Sequence, residues 1–463
     1  MAPPRGRSCA GAASEFDVSH PAVPHLVTAQ SGPLQDLEQR ILDALPTIER
    51  WFRLQWQDHI PPFYGSVDLR NAGYKLAPVD MNLFPGGFNN LSEEMLPTAV
   101  QAAGNAIERL CPDARNLLLI PERHTRNLYY LTNVARLVRI LRQTGVEVRV
   151  GTLSEEVKAR TPIELPNGEE LVLEPLERRG SRLCVDGFDP CIVLLNNDLS
   201  AGIPAVLRGL DPGQILVPPL QAGWAVRRKS NHFAAYDQVA AEFGQLLGID
   251  PWLINPYFGR CGQVNFHERA GEECVASNIE FVLSRMQEKY REHGIADTPY
   301  VVVKADAGTY GMGVMTVRDA EEVRGLNRKQ RNKMAVVKEG LEVTEVIIQE
   351  GVPTREDVDG AAAEPVVYMM DRSVVGGFYR VHMQRGRDEN LNAPGMHFVP
   401  LAFAGSCSLP DCRAEAAGSA PNRFYSYGVV ARLALLAASI ELESTASRVL
   451  EAPPASVAAA IAG

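Results

Sequence analysis

Residues 301–317 read VVVKADAGTYGMGVMTV: a β-branched run carrying Lys304, a turn containing Gly308, Gly311 and Gly313, then a second β-branched run. Glycines supply the positive φ angles of a tight turn and let backbone N–H groups approach anionic oxygens. The stretch is therefore either a plain hairpin or a hairpin that closes over a phosphate neutralised by Lys304. A dinucleotide fingerprint would place a helix after the glycines, and a Walker A loop would end on Lys-Ser or Lys-Thr; neither follows here. In protein kinases the glycine loop precedes the strand lysine, whereas here the lysine comes first. The order points to a nucleotide fold of another kind.

The rest of the chain sets bounds on that reading. Its 463 residues exceed a single core and predict two to four domains. With 46 Lys plus Arg against 56 Asp plus Glu, the net charge of -10 argues against nucleic acid as a partner, so an anionic ligand must meet a local cationic pocket. The start has no apolar signal core and no stretch is long and apolar enough to span a membrane, which predicts a cytoplasmic protein. Eight scattered cysteines without a Cys-x-x-Cys predict reduced thiols and neither a zinc site nor a disulfide framework.

Residues 1–33, rich in Pro, Ala, Gly and Ser, read as a mobile leader. From Leu34 a helical spacing runs to a break at Pro46, and 34–113 then leads through a polar stretch. NLLLIPE (116–122), a 3.6-periodic run ending at Gly145 and VEVRVGTL form a βαβ unit, extended by strands at 190–198 and 214–219. This predicts an open-sheet α/β domain over 114–220. Helices at 231–248 and 276–293 precede a strand-rich region, giving a second unit over 221–430, and 431–463 reads as a helix and a low-complexity tail.

Lysine on a strand, a glycine-rich hairpin, and VTEVIIQEGVPT (343–354) together resemble the ATP-grasp fold, a mixture of α/β and α+β in which two lobes grip the nucleotide. The resemblance implies that Lys304 contacts phosphate and 308–313 close over it. It also implies that Gln349 to Val352 meet adenine through their backbone, with Glu350 a candidate for ribose or adenine. Lys229, in RRKSNHF (227–233), matches a second phosphate lysine. In EPVVYMMDRSVVGGFYRVH (364–382), two strands around a turn, Arg380 would reach the transferred phosphate or acyl group; His382, on the same face, reads as packed. RDENLNAPGMHF (387–398) resembles the acidic-x-Asn segment that holds Mg²⁺ beside ATP, but Asn390 stands where the strict pattern has an acid. Glu389 with Asn392, Asp388 or Glu364 are the candidate ligands, and alternation would put Asp388, Asn390 and Asn392 on one face.

FYGSVDLRNAGYKLAPVDMNLFPGGFNNLSEE (63–94) is too dense in polar groups for a mere connector. An amino-acid substrate needs a cation and an acceptor, and Asp68, Arg70, Lys75, Asp80, Asn82 and Asn89 are candidates. Asn90 with Glu93 predicts a helix cap. Four motifs in order, the polar stretch from 63, the Lys304 hairpin at 301–317, the strand pair at 364–382 and ENLNAPGMHF (389–398), resemble the proteobacterial glutamate-cysteine ligase family over about residues 35–430. That resemblance implies ATP- and Mg²⁺-dependent joining of L-glutamate to L-cysteine through an acyl phosphate, the first step of glutathione synthesis. Two rivals are an ATP-grasp ligase for another amino acid or amine, and a regulatory module that binds ATP without catalysis.

Overall fold

In the computed structural model, which describes residues 32–308, 313–335, 342–401 and 424–451, the chain opens with two helices, α1 (Pro33–Asp43) and α2 (Leu45–Asp58). Pro46 lies in the first turn of α2, where a missing N–H costs no helical bond. Residues 1–31 of the leader, the tail after 451 and Gly311 lie outside the described residues.

Two strands, β1 (Tyr64–Asn71) and β2 (Leu76–Asn82), pair antiparallel, and helix α3 (Leu96–Leu110) follows. The expected Asn90–Glu93 cap is absent: short 3-10 turns occupy 88–90 and 93–95 without side-chain caps, and Glu93 is drawn instead to Arg136 and Arg139.

The βαβ unit forms as expected from β3 (Asn116–Pro121), α4 (Leu128–Arg142) and β4 (Glu147–Thr152), with β3 and β4 parallel. Four short, half-exposed strands follow: β5 (Thr161–Glu164), β6 (Glu170–Pro175), β7 (Glu177–Arg179) and β8 (Arg182–Cys184). Then β9 (Ile192–Asn196) and β10 (Ile215–Val217) complete an open sheet of order β10-β9-β3-β4-β6-β5.

Helix α5 (Lys229–Leu247), strand β11 (Phe258–Cys261) and helix α6 (Glu272–Glu292) lead to the hairpin β12 (Val301–Ala305) and β13 (Val314–Val317). After α7 (Glu321–Arg324) and α8 (Arg328–Ala335), strand β14 (Val346–Glu350) closes an antiparallel sheet of order β11-β14-β12-β13. Cys261 and Cys274 are joined as a disulfide between β11 and α6, which corrects the expectation that all thiols are reduced. They are thirteen positions apart, so local spacing carried no signal of the contact. Cys9, Cys407 and Cys412 lie outside the described residues.

The last strands are β15 (Asp357–Val358), β16 (Ala361–Met370), β17 (Ser373–His382) and β18 (His397–Pro400). They do not form a sheet of their own. Strand β16 pairs with β1, Val67 opposite Val367, so the order is β18-β17-β16-β1-β2. The division of the sequence at 113 and 220 separates segments that this sheet joins.

Helix α9 (Phe424–Glu451) packs against that sheet and α5. It is buried on every side from Phe424 to Ala438, as an all-round apolar helix must be. Arg432 and Glu441 interrupt its apolar run and pair with Glu49 and Arg227. Among the described residues no helix is long and apolar enough to cross a membrane.

Candidate active site

Strand β12 lies between β13 and β14, which aims Lys304 at the edge of the neighbouring sheet. Its Nζ donates to the Val79 carbonyl at 2.8 Å and to Gln349 Oε1 at 2.7 Å. Lys229 begins α5 and is buried rather than solvated; its Nζ donates to Asp80 Oδ1 at 2.6 Å and lies 4.5 Å from the centre of the Trp224 ring. Burial disfavours the charged form of Lys304 and, with Lys229 nearby, pushes it down to about 8 although Asp80 opposes this. Burial also works against the Asp80 carboxylate, yet the two lysine charges hold it down at about 2.

A second charged group comes from the other sheet. Glu364 of β16 stands directly opposite Arg380 of β17, and β1 supplies Asp68 and Arg70 on the other side. Arg380 Nη1 donates to Glu364 at 2.6 Å and Asp68 at 2.7 Å, and Arg70 Nε donates to Glu364 at 2.7 Å. Burial would raise the Glu364 pKa, but the two guanidinium groups outweigh it and the net direction is down. Asp68, with one arginine and the Glu364 charge close by, is raised by burial.

Four cations, Lys229, Lys304, Arg70 and Arg380, thus face one cleft that Gly308, Gln349, Val352, Glu389 and Asn392 also line. The hairpin expected around Lys304 is present, with positive φ at Gly308 and Gly313. On the Gln349–Val352 wall the N–H groups of Glu350 and Gly351 donate to the Tyr257 and Tyr300 carbonyls. Gln349 Nε2, buried and without a partner among the described residues, is a further donor on that wall.

Other candidates are placed differently. Lys75 is fully buried beneath Trp252 and donates to Glu350 at 2.7 Å; it lines neither this cleft nor the cavity beside it. The Glu350 carboxylate also accepts from Trp252 Nε1 and the Tyr257 N–H. Asn89 lies in a shallow groove with Arg136 and Arg139. Residues 387–396 form a looped segment rather than a strand, so the expected alternation of Asp388, Asn390 and Asn392 does not hold. Local turns explain this: the Asn392 N–H bonds back to Asn390 Oδ1, and the Glu389 N–H to the Gly386 carbonyl. Asp388 pairs with Arg318 and Glu389 with Arg385. His382 is packed as expected, its Nε2 3.1 Å from the Pro394 carbonyl.

A second cavity of about 330 Å³ adjoins the cleft, and Asp68, Asp80, Arg380 and Asn392 line both. Asn82 belongs to it, as do Glu122, Asn133, Asp198 and Trp224, which the sequence reading did not single out. A signal existed for Asn133, an amide in the buried stripe of Leu131, Val134, Leu137 and Leu141.

The oxygen-rich lining suits Mg²⁺, which takes carboxylate and carbonyl oxygens and usually shares them with phosphate. Glu364, Glu389 and Asn392 supply such atoms. Among the described residues the acid and histidine trio close enough to share an ion is Asp250, Glu292 and His293, which lines neither cavity.

The profile of the glutamate-cysteine ligase family matches residues 38–442. A crystal structure from Methylobacillus flagellatus KT, provisionally named a gamma-glutamylcysteine synthetase, is 63% identical. The match covers 91% of this chain and 99% of that one at a TM-score of 0.84. D-alanyl-alanine synthetase A from Vibrio cholerae matches loosely, at 11% identity over 71% and 81% of the two chains and a TM-score of 0.31. A glutathione synthetase-like effector from Globodera pallida does likewise, at 11% over 81% and 85% and 0.37. No curated protein matched. Matched across most of its length and carrying a cationic cleft between two sheets, the chain belongs to the glutamate-cysteine ligase family, whose members are ATP-dependent carboxylate-amine ligases.

Proposed function

We propose that this enzyme joins the γ-carboxyl of L-glutamate to the amine of L-cysteine at the expense of ATP, in the cytoplasm, where it supplies the first intermediate of glutathione synthesis. The observation that carries the reading is the convergence of Lys229, Lys304, Arg70 and Arg380 on one cleft beside a second cavity of amino-acid size.

Phosphoryl transfer to a carboxylate is limited by charge and position, which the protein supplies as fixed cations. Lys229 and Lys304 bind the phosphate chain of ATP, and the Gln349 amide donates to the nucleotide. Arg380, at the junction of the cavities, holds the γ-carboxylate and then the acyl phosphate. The lid expected at 308–313, of which 309–312 lie outside the described residues, would exclude water, which otherwise hydrolyses that intermediate. The cysteine nitrogen then attacks the acyl carbon, the amide bond forms and inorganic phosphate leaves. Asp68, with its raised pKa, stands at the junction to accept the amine proton. Glu364, Glu389 and Asn392 would hold Mg²⁺, which when bound screens the phosphate oxygens.

The test is ADP release by the purified chain with glutamate plus cysteine, each omitted singly. ADP that depends on both supports the reading. ADP with another amine in place of cysteine favours the ligase of different specificity, and ATP binding with no amino-acid-dependent ADP favours the regulatory module.

A further inference from the structure

The second cavity has a far wall built by the open sheet. Strands β3 and β9 are parallel neighbours there, but the chain leaves β3 for β4 on one side and β9 for β10 on the other. Such a switch of direction leaves a crevice outside the carboxyl ends of the two strands, where open α/β sheets bind ligands. Glu122 follows the end of β3 and Asp198 lies just past the end of β9. They are 9% and 5% exposed, both line the cavity, and Glu122 Oε1 accepts the Asp198 N–H at 3.1 Å, which ties the two strand ends together.

Two other lining groups are donors. Asn133 of α4 and Trp224, 1% and 3% exposed, present Nδ2 and Nε1 without a hydrogen-bond partner among the described residues. The orientation of Asn133 is dictated: its Oδ1 accepts the N–H groups of Gly87 and Phe88 at 2.7 and 2.8 Å, so the amide nitrogen is left over. Trp224 is fixed by its backbone N–H, which donates to the Asp198 carbonyl at 2.9 Å, and by Lys229 over its ring. Buried donors left unpaired destabilise the fold unless a ligand completes them.

Carboxylates and unpaired N–H donors in one cavity match the two charges of an α-amino acid. We propose that this cavity is the subsite for the zwitterionic end of an amino-acid substrate, with its ammonium on Glu122 and Asp198 and its carboxylate on Asn133 Nδ2 and Trp224 Nε1. The reacting group then projects toward Arg380 and Asn392, the residues shared with the nucleotide cleft. The open-sheet domain thereby gains a role in substrate recognition, which deepens the ligase reading and rests on it. Glutamate and cysteine share this end, and the test separates them.

Trp224→Phe removes the N–H and keeps the ring, while Glu122→Gln and Asp198→Asn remove charge at constant shape. In the full chain each should raise KM for one amino acid tenfold or more, with kcat within a few-fold and KM for ATP unchanged; the amino acid affected is the occupant. Unchanged amino-acid KM values, or an equal rise for ATP, would overturn the proposal. Equilibrium dialysis of labelled glutamate and of labelled cysteine, with a non-hydrolysable ATP analogue present, reads the subsite without turnover. Binding lost in Trp224→Phe supports it even if the wild type proves to have no ligase activity, whereas an active wild type with an unaffected variant defeats this proposal alone. Should the variants fail to fold, hydrogen exchange on the wild type decides: added amino acid must protect 122–133 and 196–200, and protection confined elsewhere refutes it.

Discussion

Raising the pH from 7 to 9 should weaken ATP binding about tenfold, through Lys304 alone. Buried beside Lys229, this lysine is pushed down to about 8 in the free protein. A triphosphate binds the charged form, so below pH 8 the charge is already in place, and above it each binding event must first take up a proton. The apparent Kd then rises by the factor 1 + 10^(pH − pKa), about 1.1 at pH 7, about 2 at pH 8 and about 11 at pH 9. A lysine with an ordinary pKa would give a rise of only about 3% at pH 9. The assay is isothermal titration of Mg-ATP into the protein without amino acids, because the cysteine thiol titrates over the same range. Repeating it in buffers of different ionisation enthalpy counts the protons taken up, with about one expected at pH 9. Lys304→Arg, charged throughout, should flatten the profile. A Kd that stays level from pH 7 to 9, or the same rise in Lys304→Arg, would refute the placement of this charge against the phosphates.

Two further outcomes concern the support of the cleft. Glu350→Ala strands the buried Lys75 cation and should lower stability by roughly 3–5 kcal/mol at pH 7 in a denaturant titration. Burial pushes Lys75 down to about 8, so the variant loses less at pH 9, where the amine is neutral; an equal loss at both values would contradict this. In Gly351→Ala the new Cβ would fall 2.1 Å from the Tyr300 ring, beside the Gln349–Val352 wall of the cleft. Displacing that ring should cost roughly 1–3 kcal/mol by thermal melting and weaken ATP binding, and a wild-type melting curve would show the packing to be looser than described.

Local pattern carried much of this architecture. The Lys304 hairpin, the βαβ unit and the β16–β17 hairpin are each contained in a short run, where apolar period and turn residues decide the outcome. The pairing of β1 with β16 is of another kind, because no feature of residues 64–71 names a partner near residue 366. The same blindness affected the site. Arg380 and Lys304 sit in recognisable strands, but Lys75 could not be seen to meet Glu350, nor Cys261 to meet Cys274, until the fold set them side by side. Trp224 lies between regular elements and gave no periodic signal. The 387–396 segment was misread because alternating residue types suggest a strand even where asparagine side chains fold the backbone into turns.

The joining of β1 to β16 also bears on how the enzyme comes into being. Asp68 and Arg380 are 312 residues apart and touch only through that sheet. A ribosome producing the chain from its N-terminus releases Asp68 early, and the arginine that neutralises it emerges only after the open-sheet domain and the lysine hairpin. The open sheet can begin folding during synthesis, whereas the contact of Asp68 with Arg380 must wait for nearly the last strand. Closing so long a loop adds an entropic cost, and no shorter connection brings the two residues together earlier. A chain cut short before residue 364 would therefore carry Lys229 and Lys304 yet lack both Glu364 and Arg380.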